Sequence, residues 1–152
     1  MSIQRIPAGY HTVTPYLIIK GAAKAIQFYQ SAFGAQQIMR LDGPDGTILH
    51  AEIKIGDSHI MMADEMETHR GPQTLGGTPV SLMLYVDDCD QVFTTALAAG
   101  ATQTRPLENQ FYGDRCGTLV DPFGHIWHVA THVEDVTPEE INRRFAEMMA
   151  AQ

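Results

Sequence analysis

Two stretches of the chain repeat apolar residues at helical spacing and end on glycine. Ala22, Ala25, Ile26, Tyr29, Ala32 and Phe33 share one stripe of a helix predicted over 22–33, and Gly34 supplies the left-handed closing turn. A second helix, predicted over 89–99, has Asp88 as its cap with Gln91 three residues on, carries Val92, Phe93, Ala96 and Leu97, and stops at Gly100. Short aliphatic, aromatic and β-branched runs surround both helices and read as strands. "VTPYLII" and "VSLMLYV" precede the helices; "AQQIMRL", "TILHAEIKI" and "SHIMMAD" follow the first, and "ATQTRP", "CGTLV" and "HIWHVAT" follow the second. The turns "DGPDG", "GD" and "DPFG", and a longer loop with "ENQFYGDR", separate these runs. The predicted order is β-α-β-β-β, twice.

The repeat shows in register as well. A shift of about 66 residues lays "SHIMMA" on "GHIWHV" and "FGAQQ" on "AGATQ", and one residue of slack lays "TPYLII" on "SLMLYV". A period this long means duplicated supersecondary modules. The closing stretch "EDVTPEEINRRFAEMMAAQ" reads as an amphipathic helix, with Thr137 as cap, Pro138 at its first position and Glu140 completing a Thr-x-x-Glu box. Its apolar side is Ile141, Phe145, Met148 and Met149. The fold class is therefore α+β: two tandem βαβββ modules, about 10–65 and 79–133, joined by a link at about 66–78 and followed by a helix at about 137–150. All of it is expected to form one domain over residues 1–152.

Composition narrows the function classes. Apolar residues make up 44% and charged ones 18%, which suits a packed globular chain. Ten basic against eighteen acidic residues give a net charge of −8 with no basic stripe, so neither nucleic acid nor an anionic membrane surface is an expected partner. Pro7 and Pro15 interrupt the start before any signal-like apolar segment forms, and no stretch approaches a membrane span. Cys89 and Cys116 form no C-x-x-C pattern, so reduced thiols and a cytoplasmic location are expected.

The histidines of "DPFGHIWHVATH" look like a chelate at first sight. Side chains of a strand alternate between faces, so His125 and His128, three apart, point to opposite sides. His128 and His132 share a side but stand roughly 13 Å apart at about 3.3 Å per residue. At most one of the three enters any one site. His50 and Glu52, two apart on "LHAEI", share a face and form a candidate general-base or metal-ligand pair.

Paired modules ending in "DPFGH" resemble the vicinal oxygen chelate superfamily, which includes glyoxalase I, extradiol dioxygenases and the bleomycin and fosfomycin resistance proteins. "GYHTVTPYLIIKGAAKAIQFYQSAFGA", "DGTILHAEIKIGDS", "YVDD", "FYGDRCGTLVDPFGHIW" and "THVED" are most similar to its PhnB-like, glyoxalase-like branch, over about residues 7–135. The resemblance implies sheets curled around a common cleft, usually completed by homodimerisation. It also implies metal ligands on the first and last strands of each module, the last-strand ligand lying four residues after the turn glycine. That position is His128, its copy is Met62, and the first-strand positions are Thr14 and Ser81. Two hydroxyls, a thioether and one imidazole are a poor donor set for zinc, nickel or iron, so no metal cofactor is expected.

By the family pattern the cleft face carries Thr14 and Tyr16 in module 1 and Ser81, Met83 and Tyr85 in module 2. With Met62 and His128 they suit a flat, partly apolar small molecule. Tyr112 and Arg115 lie in the long loop, where Arg115 either meets an anionic ligand or fixes the loop to an acid. Trp127 is expected in the core against the second helix, His59 and His125 at solvated turn ends, and Cys116 as an ordinary buried thiol. Two functions remain: metal-independent binding of an amphiphilic or aromatic molecule by a homodimer, or lyase or isomerase chemistry using His128 with His50 or Glu52.

Overall fold

A computed structural model describes residues 2–152; Met1 lies outside the described residues. Module 1 runs β1 (Tyr16–Ile19), α1 (Ala22–Phe33), β2 (Gln36–Asp42), β3 (Ile48–Ile55) and β4 (Ser58–Asp64). A four-residue helix in the link, α2 (Pro72–Leu75), was not expected from periodicity, being too short to show one. Module 2 runs β5 (Ser81–Tyr85), α3 (Cys89–Ala98), β6 (Thr102–Asn109), β7 (Asp114–Val120) and β8 (Ile126–His132), and α4 (Pro138–Ala150) closes the chain. Each module is a four-stranded mixed sheet, ordered β1-β4-β3-β2 and β5-β8-β7-β6, with its first strand parallel to its last.

Local chemistry explains the boundaries. Gly34 takes φ 69° and closes α1, as its position after the apolar stripe predicts. The other end of α1 is tied to its own sheet: Asp64 Oδ1 accepts from the Gly21 and Ala22 N–H groups, and Oδ2 accepts from the Ile48 N–H. Asp88 caps α3 by accepting from Gln91 N–H, and Thr137 caps α4 by accepting from Glu140 N–H. The expected box on α4 is only half formed, because the Glu140 carboxylate is drawn instead to Arg143 and Arg144.

The modules meet through their helices and share one core, which includes Ile26, Tyr29 and Phe33 of α1, Phe93 of α3 and Trp127 and Val129 of β8. Trp127 is buried as expected, but its aromatic neighbours are Tyr29 and Phe33 of α1, at centroid distances of 5.4 and 4.8 Å. It therefore pins module 2 to the first helix as well. Asp121 is the polar pin: its Oδ2 accepts from Tyr29 Oη at 2.5 Å and Trp127 Nε1 at 2.9 Å. Neither His59 nor His125 is merely a solvated turn end. The His59 ring stacks on Tyr10, and His125 Nε2 donates to the Ile18 carbonyl at 3.0 Å, linking the modules.

Candidate functional site

The helices cover one face of each sheet and leave the other open. On β8, alternation sends His128 away from Trp127 and onto that face. Its ring is held between two hydroxyls, with Thr118 Oγ1 on β7 2.8 Å from Nδ1 and Ser81 Oγ on β5 2.9 Å from Nε2. Either hydroxyl can donate or accept, so the surroundings suit both neutral tautomers. Met83, paired across from His128, joins Tyr112, Cys116 and Thr118 in the wall of a cavity of about 430 Å³, and Met148 reaches into it from α4. Burial pushes up both the Tyr112 phenol and the Cys116 thiol, with the Asp114 carboxylate adding to it. Cys116 thus lines the cavity, contrary to its expected place in the core, but as a protonated thiol it is a poor nucleophile.

The same face of module 1 carries a second polar group. His50 stands 2.9 Å through Nδ1 from Tyr16 Oη and 2.8 Å through Nε2 from Glu52 Oε2. A carboxylate only accepts, so Nε2 carries the hydrogen and Nδ1 of the neutral ring accepts from the phenol. Glu52 is 8% exposed, at the inner end of a path that leads from a half-exposed tyrosine. Such a carboxylate-oriented imidazole can take up or deliver a proton. No residue of module 1 lines the cavity beside His128 among the described residues, so one chain does not bring His50 and Glu52 to His128.

Of the remaining candidates, Tyr85 and Thr14 meet with Met83 at a second cavity, and Arg115 stands apart. Tyr85 donates to Asp114 Oδ2 at 2.6 Å, and this bond is the main reason its phenol is pushed up to about 12. The other oxygen of Asp114 takes His132 Nδ1 at 2.8 Å, while His132 Nε2 meets Asp135 at 2.7 Å. Two carboxylate hydrogen bonds hold the His132 imidazole pKa above its usual value. Thr14 donates to the His11 carbonyl and lines a different cavity, of about 650 Å³, at the seam between module 1 and the free edge of β5. Arg115 resolves its two readings in favour of the acid: Nε and Nη2 both donate to Asp90 at 2.9 Å, on the helix side of β7 and away from the cavity.

The fold has known counterparts. A family model described as the Glyoxalase/Bleomycin resistance protein/Dioxygenase superfamily matches residues 10–129. The chain belongs to that superfamily. A relative from Mycobacterium tuberculosis strain H37Rv, described as uncharacterised, is 42% identical over 134 residues, covering 85% of this chain and 79% of its own length. The crystal structure of protein PA1353 from Pseudomonas aeruginosa is similar with a TM-score of 0.68 and 26% identity, covering 82% of this chain and 99% of that one. The PhnB protein of Bacillus cereus shares the fold, with a TM-score of 0.63 at 21% identity over 80% of this chain and 99% of its own.

In metal-dependent glyoxalase-type members the ligands come from four strand positions, and strand register corrects one of those assigned above. Tyr16 pairs with Met61 just as Met83 pairs with His128, so the first and last strands repeat at 67 residues. The β3 and β7 strands repeat at 66, since Glu52 pairs with Met61 and Thr118 with His128. The turn closed by the Asp121–His125 backbone pair holds three residues where the Ile55–Ser58 pair holds two, which moves the last strand by one. Met61 is therefore the counterpart of His128, and Met62 is fully buried in the core on the opposite face. The four positions read Thr14, Met61, Ser81 and His128. Thr14 Oγ1 is bonded to a carbonyl, Ser81 and His128 to each other, and a thioether completes the set. These residues do not fit a divalent metal. Among the described residues, no group of three or more His, Cys, Asp or Glu is placed to hold one.

Sequence reasoning missed several residues at this face, Phe111 and Glu108 of the long loop and its strand among them. Cys116 and Thr118 are the 66-residue copies of His50 and Glu52, so the repeat carried a signal for them. Met61 needed the turn to be counted correctly. Arg105 and Met148 had no signal at all: one stands on an exposed strand and the other on a terminal helix, and only the folded chain brings both to His128.

Proposed function

We propose that the chain binds a small, partly apolar molecule without a metal, in a cleft that a second copy completes. The cavity beside His128 carries this reading. Met83, Phe111, Tyr112 and Met148 give it aromatic and thioether walls, around one imidazole and a few other polar side chains, Arg105 and Glu108 among them, which suits a flat amphiphile.

The second copy is inferred from the edges. β1 and β5 each have a sheet neighbour on one side only, and Tyr16, Met83 and Tyr85 stand half-exposed along them. Open edges favour pairing with another chain. Setting β1 beside the partner subunit's β5 would bring Tyr16, His50 and Glu52 to the same cleft as Met83 and His128 of the other copy. Two free thiols fit a reducing compartment such as the cytoplasm. No helix among the described residues is long and apolar enough to cross a membrane, and the net charge of −8 disfavours nucleic acid.

A thermal-shift screen of chelator-treated protein against aromatic amphiphiles tests the reading. At a hundredfold excess over Kd a binder adds about 2.7 kcal/mol, a rise of roughly 5–10 °C for a chain this size. His128→Ala should lower that shift and leave the unliganded Tm within about 2 °C. Shifts that need added zinc or nickel, or that ignore His128→Ala, would contradict it.

A second reading is favoured by the Tyr16–His50–Glu52 chain, whose geometry serves acid–base work as well as binding. On that reading the protein is a lyase or isomerase of glyoxalase type, with His128 of the partner subunit across the cleft. Turnover of the hemithioacetal of methylglyoxal and glutathione, abolished by Glu52→Gln, would support it; no turnover by the native dimer, with and without added metal, removes its glyoxalase form.

A further inference from the structure

We infer that the molecule bound beside His128 carries an anionic group at one end, and that Arg105 selects it; the inference rests on the reading of that cavity as a ligand site. Arg40, Arg115, Arg143 and Arg144 are each committed to carboxylates at 2.8–3.0 Å. Arg105 stands in the cavity wall with no hydrogen-bond or ion-pair partner among the described residues. The strand register sets it opposite Thr118, the hydroxyl that holds His128 Nδ1. Glu108 lines the same cavity opposite Cys116, two residues further along β7 and so about 6.6 Å away at ~3.3 Å per residue. The cavity is thereby polarised along β7, with its cation at the imidazole end and its carboxylate at the Cys116 end.

Arg105 shares the cavity wall with Tyr112 and Cys116, so its charge is within reach of whatever occupies it. An exposed guanidinium is hydrated until a ligand covers it, and a covered one needs a counter-charge. Carboxylate, sulfonate and phosphate groups match its planar fork of donors. A chain of net charge −8 repels such anions elsewhere, so a local cation is what would bring one in. The expected ligand class is an aromatic or alicyclic acid, its acidic end at Arg105 and Thr118 and its apolar body against Met83, Tyr112 and Met148.

Two fluorescent probes that share an aromatic body test this. 8-Anilinonaphthalene-1-sulfonate carries the anion; N-phenyl-1-naphthylamine lacks it. Titration of the full chain should show tighter binding of the sulfonate. Arg105→Met should weaken that binding about tenfold or more while moving the neutral probe less than about twofold, which also shows that the variant folds. Arg105→Lys should keep most of the preference, and Glu108→Gln should strengthen it. An Arg105→Met protein that binds the sulfonate as the native chain does overturns the inference and leaves the site reading standing. A native chain that binds neither probe overturns the site reading and the inference with it.

Discussion

Asp121 joins the modules by holding Tyr29 of α1 to Trp127 of β8 through one buried carboxylate. It is 4% exposed, and its carboxylate accepts from Tyr29 Oη, Trp127 Nε1 and the N–H groups of Phe123 and His125. Burial and the neighbouring carboxylate hold the Tyr29 phenol well above its usual range, so it remains a donor at any physiological pH. Tyr29→Phe removes one donor from a buried charge and should cost about 1.5–3 kcal/mol, read from urea unfolding midpoints. Tyr29 was legible in sequence as a stripe residue of α1 and Asp121 as a turn residue, yet their partnership was not, because 92 positions separate them and no local period records it. His132 offers a pH test at the same scale. Its folded pKa is raised above 6.5 by Asp114 and Asp135, so its contribution is full below the unfolded value and fades as pH rises through the raised one. The urea midpoint of the native chain should therefore fall relative to that of His132→Gln as the pH rises from below 6.5 through the raised value; parallel profiles would show that the two carboxylate contacts do not persist in solution.

Among the elements, α4 is the one attached by few contacts. It buries none of its residues and is tied at Arg144, which reaches the Phe111 carbonyl and Glu134, and at Phe145, which packs on Phe111. The segment before it hangs on Gly113, whose carbonyl accepts from the Val133 and Glu134 N–H groups. Gly113 has φ +105°, and a Cβ there would lie 2.1 Å from the Glu134 carbonyl oxygen. Gly113→Ala should thus cost more than about 2 kcal/mol and release α4 to proteolysis before the sheets. Met148→Ala, by contrast, should change stability by less than about 1 kcal/mol, since that side chain is 41% exposed, while weakening probe binding in the cavity. The three long helices, the caps at Gly34, Asp88 and Thr137, and nearly every strand were readable from period and punctuation, because those signals are local. β1 came out shorter than its apolar run, beginning after Pro15. Met62 was misplaced by one residue in a turn, and in a strand one residue exchanges the two faces.

For the whole molecule, the superfamily and the module repeat were legible, whereas the contents of the cleft were only partly so. His128 stands with Ser81, Met83 and Tyr112, Tyr16, His50 and Glu52 form a group of their own, Thr14 shares a second cavity with Met83 and Tyr85, and Met62 and Arg115 lie on the helix side. The modules pack through their helices and no residue of module 1 lines the cavity beside His128, which is why the proposed site calls on a second copy. Sedimentation at micromolar concentration should find a dimer, and a charge at the β5 edge, Tyr85→Lys, should shift it toward monomer. The most direct test of the proposed function is fluorescence titration of chelator-treated protein with N-phenyl-1-naphthylamine. Saturable binding of one molecule per protomer, unchanged by added zinc or nickel and lost in Met83→Asp, is the expected result. Binding that appears only with metal, or that persists unaltered in Met83→Asp, would contradict it.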